Sequence, residues 1–384
     1  MQGPVLSWVV YDLTNSKEAL GLVNFLGQLP MAMLVIIAGV VADRRSRQAI
    51  ITMTQSLLLL SALGLAILAS THHLTIGWIY FFAVLSGVAQ AFDTPARQAF
   101  MVEMAGREHL GNAIALNSAM FNTARVVGPT IGGAVFAAVG AALCFFINSA
   151  SFLAIILALF AMKGLYRRPT EPGKNVATDF IDGLRYVASH GDIRVVMLLT
   201  AVFSLFGGYY TTLLPAFARD IYGKEATAYG ILASAVGIGA LPSALITAVT
   251  TKARRQERWM VYGLVLMCAM LFGLAFTTNY VVAYALYAVY GFGMVAFLVS
   301  GNILVQHLSD ARYQGRTMGV RHFVFGGMGT FGALIAGYLS HFIGLRWTVA
   351  SGTAATVIVL ALLAPRILKV DILSTPAAPN GSGP

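Results

Sequence analysis

Gly39-Val40-Val41-Ala42-Asp43-Arg44-Arg45-Ser46-Arg47-Gln48 holds a six-residue polar break, Asp43 to Gln48, between two long apolar runs. A helix needs about 20 apolar residues to cross the ~30 Å hydrocarbon layer of a bilayer, and the flanking runs reach that length. A break carrying three arginines and one acid reads as a short loop between two spans, on the side where Lys and Arg collect. The same alternation of apolar run and polar loop continues along the chain. Of its 384 residues, 58% are hydrophobic and 10% charged, with a mean hydropathy of +0.77. Soluble domains carry about 25% charged residues, so this composition excludes one. In hydrocarbon only helices and closed barrels satisfy their backbone groups. Runs this long exceed the ~10-residue alternating strands of a barrel. The fold class is therefore all-α, polytopic and membrane-embedded.

Spans are expected at about 19–42, 49–70, 75–95, 111–139, 141–163, 193–217, 227–251, 259–277, 280–305, 315–342 and 346–364. Residues 5–13 are apolar but too short to cross alone, and are expected to be the second half of a first span whose beginning is missing. With that piece numbered span 1, only Lys17, Arg219, Lys224 and Arg346 of the 25 basic residues fall after odd-numbered spans, and Arg125 lies within span 5. The others, Arg321 included, are assigned to the loops after even-numbered spans or to the tail, which puts those loops and the C-terminus in the cytoplasm. The net charge of +10 is thus a topological signal, and no nucleic-acid partner is expected.

Four regions follow: residues 1–163 as an N-terminal six-helix bundle with a short first span, 164–192 as a cytoplasmic linker, 193–365 as a C-terminal six-helix bundle, and 366–384 as a disordered cytoplasmic tail. The linker opens on Arg167-Arg168-Pro169 and turns amphipathic, with Phe180, Ile181, Leu184, Val187 and Ala188 on one helical face and Thr178 or Asp179 as cap. At an offset of 204, Gly111, Phe121, Gly128, Gly133 and Gly140 match Gly315, Phe325, Gly332, Gly337 and Gly344. Two repeats of six spans are an architecture common among secondary transporters.

Three motifs carry chemistry. Gly39 allows close helix approach, Asp43 suits the positive end of a neighbouring helix, and Arg44 and Arg47 are free to pair with acids or lipid heads. Arg125-Val126-Val127-Gly128-Pro129-Thr130-Ile131-Gly132-Gly133 combines a basic residue inside a span with glycines for helix contact and a proline that frees a carbonyl. Asp93-Thr94-Pro95-Ala96-Arg97-Gln98 closes span 4, and Gly315-Arg316 opens span 11. The first motif resembles the loop-2–3 hallmark of the major facilitator superfamily, with Ser46 where that family usually has glycine. The second resembles the span-5 antiporter motif of its exporters, with Ala115 and Ala124 at usual glycine positions. The third, with Glu103, Asn112, Asn117, Asn122, Phe145 and Asn148, is similar to the enterobactin-exporter-like branch. The resemblance implies two six-helix bundles that rock about a central cavity, with the loop-2–3 acid and base latching the halves on the cytoplasmic side.

No phosphate-binding loop is legible, and the Gly327-x-Gly329-x-x-Gly332 run lies in an apolar helix without a preceding strand. No nucleophile–base set, metal cluster or cofactor motif appears, so no enzyme is expected. The reading is an exporter of a small amphipathic molecule such as a siderophore, drug or metabolite, with protons as coupling ion, in the cytoplasmic membrane of a bacterium. It is expected to be a monomer in contact with lipid. The alternatives are an importer, or a sensor or accessory protein that keeps the fold. Candidate cavity residues are Asn24, Gln28, Asn117, Asn122, Tyr209, Tyr210, Tyr287, Tyr290 and Asn302. All fifteen acids sit at span ends or in loops, which leaves Asp12 and Asp93 as proton-site candidates and favours neutral or anionic cargo.

Overall fold

In the computed structural model the described residues are 2–44, 46–162, 176–249, 256–310 and 312–368, and no strand occurs among them. The helices are α1 (Gln2–Thr14), α2 (Lys17–Arg44), α3 (Arg47–Ser70), α4 (Ile76–Ala161), α5 (Val176–Ser189), α6 (Gly191–Val202), α7 (Tyr209–Ala216), α8 (Ala226–Val249), α9 (Gln256–Phe276), α10 (Tyr280–Leu308) and α11 (Gln314–Ile367). Eight stretches among the described residues are long and apolar enough to cross a membrane.

An unbroken α4 of 86 residues would run about 130 Å, several bilayers deep. It is instead divided by Gly106 (φ 66°) and Gly140 (φ 77°), whose left-handed backbone a residue with a Cβ rarely adopts. Gly344 divides α11 in the same way, at φ 80° and ψ 164° against 77° and 178° for Gly140. These are the two glycines that the 204-residue offset pairs, so the repeat is visible in the backbone as well as in the sequence. The residues 191–221 form one span with two π-turns, Phe203–Gly207 and Phe217–Ile221. The expected amphipathic helix of the linker is α5; its predicted cap residues Thr178 and Asp179 lie inside its first turn. Residues 163–175, where the linker was expected to open, and the tail beyond residue 368 lie outside the described residues.

The chain divides into two compact units. Unit 1 is Met1–Val176, Thr212–Ser234 and Ala333–His341; unit 2 is Ala177–Thr211, Ala235–Gly332 and Phe342–Pro384. Unit 1 thus draws in short pieces of the second sequence half. Part of its core is Ile50, Ile51, Ala96, Phe100 and Leu159, where α3 meets two segments of α4. In unit 2, α8 and α10 touch backbone to backbone: a Cβ on Gly291 would stand 2.1 Å from the Val236 carbonyl oxygen. Small residues at helix crossings give this close packing when both neighbours and solvent are apolar. Met53, Phe160, Phe342 and Leu362 are exposed, as suits side chains that face lipid rather than water.

Two arginines counted with the loop after span 10, Arg316 and Arg321, lie within α11. Arg321 is not a loop residue, and Arg125 is not alone within the helices. Arg321 lies in α11 and is only 4% exposed. Its Nη1 donates to Asn302 Oδ1 and its Nη2 to the Leu298 carbonyl at 3.2 Å, while Nε has no partner. A Cβ on Gly301 would stand 2.8 Å from Nη2, so the missing side chain there makes the room. Charge counting places arginines by their proximity to loops, and a long side chain near a span end defeats that rule when it turns inward.

Candidate functional site

At the arginine-rich end of unit 1, the third sequence motif forms a saturated cluster. Asp93 Oδ1 accepts from Thr54 Oγ1 (2.9 Å) and Gln55 Nε2 (2.8 Å), and Oδ2 accepts from Arg97 Nε (3.0 Å) and Nη2 (2.9 Å). The arginine lies four positions after the acid, which puts them on one helical face in the favourable order. Asp93 is buried and Arg97 half exposed, so the carboxylate is held inside and the cation points out. Arg47 pairs with Glu103 at 2.6 Å and donates to the Ala99 carbonyl at 3.2 Å, and Gln48 Nε2 donates to the Leu159 carbonyl at 2.6 Å. The polar break of the opening sequence thereby stitches the start of α3 to two segments of α4.

Ser46 explains its own departure from the family pattern. Its backbone is extended (φ −59°, ψ 121°) and its hydroxyl accepts from the Ala49 amide, capping α3. A glycine is not required where φ is negative. Beside these contacts lies a cavity of about 310 Å³, lined by Ile51, Arg97, Gln98, Phe100, Met101, Met104, Asn117, Ile155, Ala158, Leu159 and Met162. It brings together Arg97 of the third motif and Asn117, which the sequence placed both with that motif and among the cavity candidates.

The opposite end of unit 1 carries contacts that sequence reasoning missed. Tyr11 Oη donates to Asp220 at 2.6 Å, Arg219 pairs with Asp12 at 3.1 Å, and His341 pairs with Glu18. Trp8 packs on Tyr229 at 5.4 Å between ring centroids. Two glycine crossings accompany them. A Cβ on Gly337 would stand 2.7 Å from the Lys17 carbonyl oxygen, and one on Gly133 would stand 2.6 Å from Gly230 Cα. Gly133 and Gly337 are partners in the 204-residue repeat, so each sequence half contributes the same glycine to an equivalent crossing. Partial burial pushes the Glu18 carboxyl up. The Ser16 hydroxyl, its own backbone amide and the charges of His341 and Lys17 outweigh that and hold it below the usual carboxylate range.

In unit 2 the four nominated tyrosines do not line an open space. Tyr209, Tyr210, Tyr287 and Tyr290 are 0–2% exposed. Tyr287 stacks on Tyr290 at 5.3 Å and lies 4.9 Å from Tyr210, and Thr211 Oγ1 bonds Tyr287 Oη at 3.1 Å. Tyr290 Oη donates at 3.2 Å to the Gly207 carbonyl, an oxygen at the end of the first π-turn. Asn302 is taken by Arg321, and Asn24 donates to the Leu20 carbonyl one turn earlier. Gly315 has open space around it, while Arg316 Nη1 reaches Asp182 Oδ2 of α5 at 3.9 Å. Gln28 is exposed, and Gly132 and Gly133 are buried, with Gly128 between those states. The side chains of Asp43, Arg44, Asn122 and Arg125, and the positions Gly39 and Pro129, lie outside what is described. No group of three metal-ligating side chains occurs among the described residues.

Comparison with known proteins supplies what geometry does not. A family model described as transmembrane secretion effector matches residues 1–377. The multidrug efflux pump Tap of Mycolicibacterium fortuitum is 26% identical over 96% of this chain and 92% of its own length. The staphyloferrin A transporter of Staphylococcus aureus is 26% identical over 63% and 61%, and the enterobactin exporter EntS of Shigella boydii 25% identical over 61% and 55%. Among solved structures, a bacterial homolog of the lysosomal transporter Spinster superposes with a TM-score of 0.75 at 15% identity, covering 95% of this chain and 93% of its own. That last likeness speaks to the fold alone.

Proposed function

Because this chain belongs to the transmembrane secretion effector family of the major facilitator superfamily, and is a multi-pass membrane transporter rather than an enzyme, we propose that it exports a small amphipathic molecule by alternating access. The arginine-rich ends face the bacterial cytoplasm, with the C-terminus on that side, and protons falling back across the cytoplasmic membrane drive the cycle. The carrying observation is the asymmetry of unit 1. At one end the two sequence halves are joined by Tyr11–Asp220, Asp12–Arg219, Glu18–His341 and two glycine crossings, while its arginine-rich end holds a cavity of about 310 Å³.

Those contacts act as the outer seal of the cycle. Each is a local hydrogen bond, ion pair or van der Waals contact near a helix end, so each is made or lost by a small rigid-body rotation. Asp43, Arg44 and Arg47 serve as the latch of the opposite state on the cytoplasmic side. Arg44→Ala is then expected to reduce transport while leaving the protein inserted. The relatives named as a multidrug efflux pump and an enterobactin exporter support the outward direction, and together with the one named as a staphyloferrin A transporter they support a siderophore- or drug-like cargo. Everted membrane vesicles containing the chain test the reading: ethidium and a catechol siderophore are expected to accumulate inside on energisation and to be released by a protonophore. No gradient-dependent movement of either substrate or of any wider panel overturns it.

A further inference from the structure

We propose that the cavity beside Arg97 binds a small amphipathic acid, an aryl or branched-alkyl body carrying one carboxylate, before it is exported. The proposal rests on the export reading for its place in the cycle and on the cavity for its chemistry. The walls come from four parts of unit 1: Ile51 of α3, residues 97–104 and Asn117 of α4, and residues 155–162 at its close. At about 310 Å³ the space lies at the lower end of the range for small-molecule sites, which excludes a large macrocycle as a whole ligand.

The polarity of the rim decides the sign of the ligand. Both acids of the cluster are occupied: the oxygens of Asp93 are filled by Thr54, Gln55 and Arg97, with its side chain only 11% exposed, and Glu103 is paired with Arg47 at 2.6 Å. Arg97 spends Nε and Nη2 on that carboxylate, which fixes the guanidinium plane and leaves Nη1 without a partner among the described residues. Arg97 lines the cavity and 48% of its side chain is exposed, so its guanidinium stands at the rim and not in the core. Gln98 and Asn117 add exposed amides with no partner among the described residues. A cation would meet the positive face of a held arginine, whereas a carboxylate gains a charge-assisted bond from a donor already oriented.

The rest of the lining is apolar, and three of its members, Met101, Met104 and Met162, are methionines. Their thioethers are flexible and polarisable and adapt to bodies of differing shape. Met104 and Met162 are exposed, so the apolar side opens where an amphipath dissolved in the inner leaflet would arrive. The sequence marked only part of this site. Its ring of residues spans positions 51 to 162, and of these only Arg97, Gln98 and Asn117 stood out beforehand.

The test is equilibrium binding to the full-length protein in phosphatidylcholine nanodiscs, with three probes of nearly equal size: 1-naphthoate, 1-naphthalenemethanol and 1-naphthylmethylammonium. Naphthoate is expected to bind best, about tenfold tighter than the alcohol. Arg97→Gln is expected to remove that acid-over-alcohol preference, and Arg97→Lys to restore part of it. Ala158→Phe, which fills the cavity without touching the ion pair, is expected to weaken all three probes while the protein stays monodisperse. Equal binding of the cation, or unchanged binding to a well-behaved Ala158→Phe protein, overturns the proposal. So does displacement of every probe by phosphatidylglycerol with no saturable naphthoate binding in its absence, which would give the cavity to a lipid. None of these measurements needs transport, so a failed vesicle assay with intact binding would sink the export reading and leave the site standing.

Discussion

Gly337→Ala isolates the outer glycine crossing with a single methyl group. In a helix this substitution is favourable by up to about 1 kcal/mol where there is room, because alanine has the higher intrinsic propensity. At Gly337 there is none. The new Cβ would stand 2.7 Å from the Lys17 carbonyl oxygen and 2.9 Å from Gly21 Cα, well inside the 3.4 Å at which ordinary contact begins. Both neighbours are backbone atoms of α2 and cannot swing aside as a side chain would. Overpacking of this kind costs about 1–3 kcal/mol, so the steric term equals or exceeds the propensity gain. The same change at Gly326, which has nothing within 4 Å of its Cβ, sits in the same helix and carries the propensity term alone. The expected result is a melting temperature for Gly337→Ala several degrees below that of Gly326→Ala in the same detergent. A cysteine at Ser16 is also expected to become more reactive to a membrane-impermeant maleimide in the Gly337→Ala background only. Two variants indistinguishable in both readouts would refute the claim that this crossing is tight and seals one end.

Three further outcomes follow from other contacts. Tyr11→Phe removes the bond to Asp220 while keeping the ring packed, at a cost of about 1–2 kcal/mol; it should lower the melting temperature and raise outer-side cysteine reactivity, and no change in either would contradict a sealing role. The Glu18 carboxyl is held below its usual range in the folded state, so its contribution is complete above the ordinary value of 4.5 and is lost as pH falls through the depressed value. The melting-temperature gap between the parent and Glu18→Gln should therefore persist to pH 4.5 and close only below it; a gap that closes already between pH 7 and pH 5 would show that the carboxyl is not depressed. Asp93→Asn keeps the shape but turns one of two saturated acceptor oxygens into a donor facing Arg97 or Thr54 and Gln55. With Arg97 half exposed the loss is discounted to about 1–3 kcal/mol, and thermal melting that shows no loss would mean the cluster is not a structural anchor.

The helices and their order were open to sequence reading because each span is a local property. Twenty apolar residues must form a helix in hydrocarbon wherever they fall, and glycine with positive φ ends one wherever a tight reversal is needed. The pairing of Gly140 with Gly344 came from the same kind of local information, repeated at a fixed offset. The cluster at Asp93 was half legible: the i,i+4 spacing to Arg97 is local, but Thr54 and Gln55 enter from another helix. Arg321 misled the topology count for the same reason, since whether an arginine turns in or out depends on a neighbour such as Gly301.

By itself, the sequence determined that this chain is a bundle of membrane-crossing helices in two related halves, and the motif in its first polar break named the superfamily. Tertiary structure alone decided which residues meet: that Tyr11 finds Asp220, that Glu18 finds His341, that four tyrosines pack shut, and that Arg97 and Asn117 share a cavity. The physical reason is range. Hydrophobic length and helix breaking act within a span and leave a periodic trace in the sequence. A hydrogen bond acts over about 3 Å, and partners some two hundred residues apart carry no mark of one another until packing brings them together.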